Sequence, residues 1–364
     1  MAITHGANRL DVALLINPST VKRRSTAERP NWLDPESAPA IVHKTLVGCG
    51  FNVAVIAACD CASTIRRIEL CSPDVIFNLT CHSLGDPRRA SQLAAVLNIL
   101  NIPFTGSGPQ GIFRACDNSL SKTLVSMIGG RVPKFTVVQR GNRPDFTQLR
   151  FPVLVRSRYE TGFEDQAHRS VARDIEALRA LIRTRLRRRG EALVCEELVA
   201  GREISVGIVG NERMHVFPMA ERTRGGRAGG APQSRRRAKN SSRPTSEVCW
   251  RQSNPPPHAL KRLREDAKRI CLELQLRDLA RIDFCLTPSG EHYFLNASSC
   301  PDCTPASFGM FAAWQSIGFA ELLASIMVCA ITRHQRETGM LRRSTVAKLP
   351  PLIAGLHDIR ALMS

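Results

Sequence analysis

Residues 278–298 read DLARIDFCLTPSGEHYFLNAS. Two alternating runs, Asp278 to Leu286 and Glu291 to Ala297, flank Thr287-Pro288-Ser289-Gly290, and that pattern predicts a β-hairpin. Side chains on a strand alternate faces with a period of two, so Arg281 and Asp283 share one face, opposite Ile282 and Phe284. Asn296 and Ser298 share a face on the returning strand. The hairpin thus gathers a guanidinium, a carboxylate, an amide and a hydroxyl, oxygen-rich company of the kind Mg²⁺ keeps with substrate phosphates. An ordinary half-exposed strand pair would explain the same residues equally well.

Upstream of the hairpin, Ala259 to Leu274 predicts a helix. Arg222 to Asn254 is polar, rich in Arg, Gly and Ser, and reads as a long loop or flap. Leu193 to Glu197 and Glu203 to Val209 predict strands paired with each other across Ala200-Gly201. Arg173 to Arg189 is an amphipathic helix whose buried stripe is Ile175, Leu178, Leu181, Ile182 and Leu186. Phe135 to Val138 and Pro152 to Arg156 add strands, and Asp117 to Ile128 a helix. Antiparallel strands with helices on one side predict an α+β module. The first third is different. Strands at Leu10 to Ile16, Asn52 to Ala58 and Asp74 to Leu79 alternate with helices at Ser37 to Cys49, Ile65 to Cys71 and Ala90 to Leu100, the order of a doubly wound parallel sheet. Downstream, Trp314 to Thr332 predicts a final apolar helix before a basic tail.

The composition sets limits. The chain has 364 residues, 43% hydrophobic and 23% charged, which is globular and too long for one ordinary core. No apolar run reaches the ~18 residues of a membrane span, and Met1 to Asp11 has no apolar core of secretory length, which predicts a cytoplasmic protein. The thirteen cysteines are scattered and odd in number, so they read as buried hydrophobes rather than a disulfide framework. Cys300-Pro-Asp-Cys303 lacks the second pair or histidines that zinc wants. The net charge of +19, with arginine clusters at Arg183 to Arg189 and Arg235 to Arg237, suits an anionic ligand. Aromatic residues, at 5%, do not interleave with the basic runs, which argues against stacking on nucleic acid bases.

The ordered pieces Pro73-Asp-Val-Ile-Phe-Asn-Leu79, Ile102-Pro-Phe-Thr-Gly-Ser-Gly108, Asp117-Asn-Ser-Leu-Ser-Lys122, Phe151-Pro-Val-Leu-Val-Arg156, Glu196-Glu-Leu-Val-Ala-Gly-Arg-Glu203, Ala238-Lys239, Arg281-Ile-Asp-Phe284 and Leu295-Asn-Ala-Ser298 resemble the ATP-grasp superfamily, in the form of the D-alanine–D-alanine ligases. The resemblance implies an α/β chain. A doubly wound pre-ATP-grasp domain would cover 1–115, a central α+β lobe 116–200, a C-terminal lobe 201–332 with its flap at 222–254, and a basic tail 333–364. It implies that Lys122 and Arg156 hold ATP, that Glu196 and the backbone of Glu197 to Val199 face adenine, that Glu203 meets the ribose, and that Lys239 belongs to the flap. Arg281 takes the position of an arginine that stabilises a tetrahedral intermediate, and Asp283, Asn296 and Ser298 the positions of Mg²⁺ ligands. The implied partners are small molecules, such as amino acids, and a second copy in a homodimer; no membrane or nucleic acid is implied.

Several positions depart from the family pattern. The metal-binding E-x-N reads Asn296-Ala-Ser298, so a carboxylate is replaced by an amide. The glycine expected after Pro301 is Asp302. Asn118 and Asn240 replace a lysine and a tyrosine, and the loop that binds the first D-alanine is not recognisable in Asn17 to Asn31. Two readings follow: an ATP-dependent carboxylate–amine ligase that works through an acyl phosphate, or a catalytically impaired relative that binds nucleotide or a partner.

Overall fold

The computed structural model describes residues 9–17, 37–80, 87–142, 144–159, 170–190, 192–224, 248–341 and 345. Lys239, the arginines 235–237, most of the flap, nearly all of the Asn17 to Asn31 loop and most of the tail lie outside them.

The N-terminal domain contains β1 (Asp11–Ile16), α1 (Ala38–Gly48), β2 (Asn52–Ala57), α2 (Cys61–Cys71), β3 (Val75–Asn78) and α3 (Pro87–Ile99). Its three strands run parallel in the order β2-β1-β3. The alternation along β1 divides the strand between two cores. Val12, Leu14 and Ile16 pack with Val42 and Leu46 of α1, while Ala13 and Leu15 pack with Leu93 and Leu97 of α3. Helix α2 begins at Cys61, earlier than the apolar pattern predicts, because the Asp60 carboxylate caps it by accepting from the Ser63 amide at 2.8 Å.

Next come α4 (Pro109–Cys116), whose Ile112 packs in the N-terminal core, and α5 (Asn118–Met127), whose Val125 packs in the C-terminal core. The central lobe follows with β4 (Phe135–Val138), β5 (Val153–Ser157), β6 (Ser170–Ala172), α6 (Ile175–Arg189) and β7 (Leu193–Glu197). Its antiparallel sheet has the order β4-β7-β5-β6. Leu178 and Ile182 of α6 cover Val153, Val155 and Leu193. The C-terminal lobe has β8 (Arg202–Val209), β9 (His215–Val216), β10 (Ala220–Arg224), β11 (Val248–Gln252), α7 (Pro257–Glu273), β12 (Leu279–Leu286) and β13 (His292–Ser298), then α8 (Phe308–Ala313) and α9 (Phe319–Thr338). The order β11-β10-β8-β12-β13, with β9 on β8, is antiparallel throughout. Leu263, Ala267 and Ile270 of α7 pack on Val206, Ile282 and Phe284.

Three expectations are corrected. First, the described ends of the loop expected at Arg222 to Asn254 are not loop but the end of β10 and the whole of β11, paired antiparallel. Second, β7 and β8 do not form a hairpin; they belong to different sheets. The Glu197 and Leu198 amides still donate to Lys134 and Pro152 of the central lobe, so the chain leaves that sheet only at Val199. It then passes so close to β12 that a Cβ on Gly201 would lie 2.5 Å from the Leu286 carbonyl oxygen. Each strand buries its apolar face in its own lobe, and that burial outweighs the local turn signal. Third, the final helix is broken. Ser316 takes a φ of +60°, Gly318 starts α9, and α9 continues past Thr332 to Thr338, where Gly339 in the left-handed region ends it.

Candidate functional site

The site is built where β12 and β13 face the end of α5 and strands β5 and β7. On β12, Arg281 pairs with Ser298 and Asp283 with Asn296, as the alternation predicts. The ladder slips between Asp283 and Phe284, so that Phe284 pairs with Phe294 and Leu295 is the extra residue of a bulge. The Leu295 carbonyl accepts from Lys122 Nζ of α5 at 2.6 Å and from Arg156 Nη2 of β5 at 3.1 Å. Arg156 of the central sheet and Lys122 of α5 are thereby fastened to one strand of the C-terminal lobe.

Lys122 and Arg156 are 0% and 1% exposed, so their charges need partners. Glu196 of β7 supplies one, at 3.0 Å from Lys122 Nζ and 3.4 Å from Arg156 Nε. Asn118 supplies another: its side-chain oxygen accepts from Arg156 Nη2 while its Nδ2 donates to the Ser157 carbonyl. Asp117 caps α5, accepting from the Ser119 and Leu120 amides, and holds Arg158 in a bidentate pair. Burial pushes the Asp117 carboxyl up, but Arg158, Ser119 and Leu120 together hold it below the ordinary carboxylate range.

The other expected residues lie around this cluster in different ways. Glu197 turns to the opposite face of β7 and accepts from the Arg150 amide at 2.9 Å. The Val199 carbonyl, in the connector between lobes, accepts from the Cys285 thiol of β12. Glu203 on β8 stands opposite Cys285 and is paired with Arg222 of β10 at 3.0 Å. The structure therefore brings Lys122, Arg156, Glu196, Arg281, Asp283, Asn296 and Ser298 around one junction, with Val199 and Glu203 along its edge.

The donors around Asp283 decide whether the site fits Mg²⁺. Asp283 is 3% exposed. Its Oδ1 accepts from the Ser205 hydroxyl and from Arg281 Nε at 3.1 Å; its Oδ2 accepts from Asn296 Nδ2 at 2.7 Å and from Arg281 Nη2 at 3.2 Å. A carboxylate offers about four lone-pair directions, and protein donors take all of them. Asn296 turns its N–H groups, rather than its oxygen, to the carboxylate. Among the described residues no three His, Cys, Asp or Glu side chains converge on a point. Asp283, Asn296 and Ser298 therefore do not fit a divalent cation, which wants several anionic or carbonyl oxygens with free lone pairs.

Sequence reasoning missed three parts of this site. Ser205 is one; it is the lone polar side chain in the apolar run of β8, and its register opposite Asp283 was the available signal. Asn118, set down as a departure, is the partner of Arg156. The Leu295 carbonyl left no trace in sequence, because a bulge is a property of the pairing. Cys300 and Cys303 are buried, their thiols donating to the Asn78 and Pro301 carbonyls, and burial, with Cys300 and Asp302 adding to it, pushes the Cys303 thiol well up, which suits packing rather than redox work.

Known proteins share this architecture. The family described as D-ala D-ala ligase C-terminus matches residues 127–328. An uncharacterized protein, y4sG, of Sinorhizobium fredii is 30% identical over 264 residues, 71% of this chain and 75% of that one. The D-alanine–D-alanine ligase of Oleidesulfovibrio alaskensis is 26% identical over 298 residues, 81% of this chain and 91% of its own. The crystal structure of the Bacillus anthracis D-alanine–D-alanine ligase complexed with ATP superposes with a TM-score of 0.71 at 15% identity, covering 91% of this chain and 99% of that one. With the ATP-grasp arrangement of lobes in place and the family's C-terminal unit spanning more than half its length, this chain belongs to the D-alanine–D-alanine ligase family.

Proposed function

We propose that this protein is an ATP-dependent carboxylate–amine ligase that holds ATP where its central and C-terminal lobes meet. The observation that carries the reading is the junction at Leu295, whose carbonyl accepts from Lys122 and from Arg156 of the central lobe and whose neighbour Asn296 pairs with Asp283. A triphosphate laid along this junction would lie in the positive field of the buried Lys122 and Arg156 and of Arg281. The connector at Glu197 to Val199 would border the adenine, and Glu203 the ribose hydroxyls, with Lys239 in the flap.

The chemistry proposed is that of activation and attack. A substrate carboxylate oxygen takes the γ-phosphoryl group, ADP leaves, and an amine adds to the acyl phosphate carbon. That addition forms the C–N bond, the amine nitrogen gives up a proton to solvent, and the tetrahedral intermediate then expels phosphate by breaking its C–O bond, leaving the amide. The chain contributes position and fixed positive charge rather than a covalent intermediate. Arg281 is the group placed to stabilise the oxyanion. No step is assigned to a metal. A cytoplasmic setting suits the reading, since it supplies ATP.

A second reading, nucleotide binding without turnover, is favoured by the engagement of Asp283 with protein donors and by Asp302, which sets a negative charge next to Pro301. Phosphate release from ATP with a panel of D- and L-amino acids separates the two. Release that needs both a carboxylate and an amine supports the ligase. ATP binding with no release for any pair supports the second reading.

A further inference from the structure

We propose that the nucleotide site takes its nucleoside triphosphate as the metal-free polyanion, because the one carboxylate at its metal position, Asp283, is held by protein donors. The inference rests on the nucleotide reading above and deepens it. Asn296 at the position of a metal-binding glutamate removes one negative charge, so Asp283 is the single carboxylate left there for a cation, and protein donors already hold it. The geometry shows the pair made: Arg281 reaches Asp283 through Nε and Nη2, and Ser205 and Asn296 complete the carboxylate's shell. Arg281 and Asp283 are 6% and 3% exposed, so the pair sits in an environment where opening it leaves both charges poorly solvated. A magnesium ion would have to break that pair to gain its one anionic ligand, and it would find neutral groups at Asn296 and Ser298 beside it.

The consequence for binding has a definite sign. Magnesium neutralises part of the triphosphate's charge. In a site that offers the metal no free carboxylate, it lowers the attraction to Lys122, Arg156 and Arg281 and adds no ligand bond in return. Chelation should therefore leave nucleotide affinity unchanged or raise it, the reverse of the usual behaviour of a magnesium-dependent site.

Calorimetric titration of the full chain with an ATP analogue whose γ-phosphoryl group cannot transfer, in excess EDTA and in excess magnesium, tests this. The expected affinity in EDTA is equal to that in magnesium or tighter. Weakening by more than about threefold on chelation overturns the inference while leaving the nucleotide reading intact. No binding in either buffer overturns both. Arg281→Met gives a second arm: in EDTA its affinity should fall by about tenfold or more, and magnesium should recover part of the loss because Asp283 is released. A folded Arg281→Met protein that binds the analogue in EDTA as tightly as the parent overturns the role given to Arg281.

Discussion

At the scale of single residues, the chain meets each buried charge with a specific partner. Asp117 is 1% exposed and does two tasks, capping α5 and pairing with Arg158. Asp117→Ala removes the cap and leaves Arg158 without its carboxylate. It should cost about 2–4 kcal/mol of stability in chemical denaturation. Because the folded pKa of Asp117 is depressed, its contribution is full above the ordinary carboxylate pKa of about 4 and is lost as pH falls through the lower folded value. The parent should therefore lose stability below about pH 4 more steeply than Asp117→Asn. The residue types at Arg281, Asp283, Lys122 and Glu196 were all legible in the sequence. Which of them bond one another was not, since Glu196 on β7 and Lys122 on α5 are joined only by packing.

At the scale of elements, the lobe junction depends on a backbone crossing. Gly201 lies against the Leu286 carbonyl and the Cys285 sulfur, which a Cβ would approach to 2.5 and 2.7 Å. Gly201→Ala forces the connector or the end of β12 to shift and should destabilise by about 1–3 kcal/mol, read as a lowered midpoint in thermal or urea unfolding. If the proposed adenine border is the connector at Glu197 to Val199, the same variant weakens ATP analogue binding as well. Alternation predicted most strands correctly, because each strand buries one or both faces in a local core. The β7–β8 pairing was misjudged for the same reason: two apolar runs and a glycine turn look alike whether they pair together or each joins its own sheet.

At the scale of the whole molecule, one buried carboxylate ties the parts together. Asp278 is 0% exposed. It accepts from the Gly106 amide of the N-terminal domain, from Asn211 after β8, and from Arg333 of α9, whose Nη2 also donates to the Phe104 carbonyl. Asp278→Asn leaves the buried Arg333 with only the half-exposed Glu337 as its anion among the described residues, and the expected cost is about 2–4 kcal/mol, read as a lowered denaturant midpoint. By itself the sequence determined the parallel N-terminal sheet, an α+β module beyond it and the shared face of Arg281 and Asp283. These follow from side-chain alternation and helical periodicity, both of which are local. The division into two lobes and the loss of a metal-binding carboxylate were implied by its resemblance to a family. Only the tertiary structure decided that β7 and β8 part company, that a bulge turns the Leu295 carbonyl toward two cations, and that Asp283 is filled by protein donors. Those outcomes depend on which distant groups burial brings within hydrogen-bonding reach, and no local pattern records that.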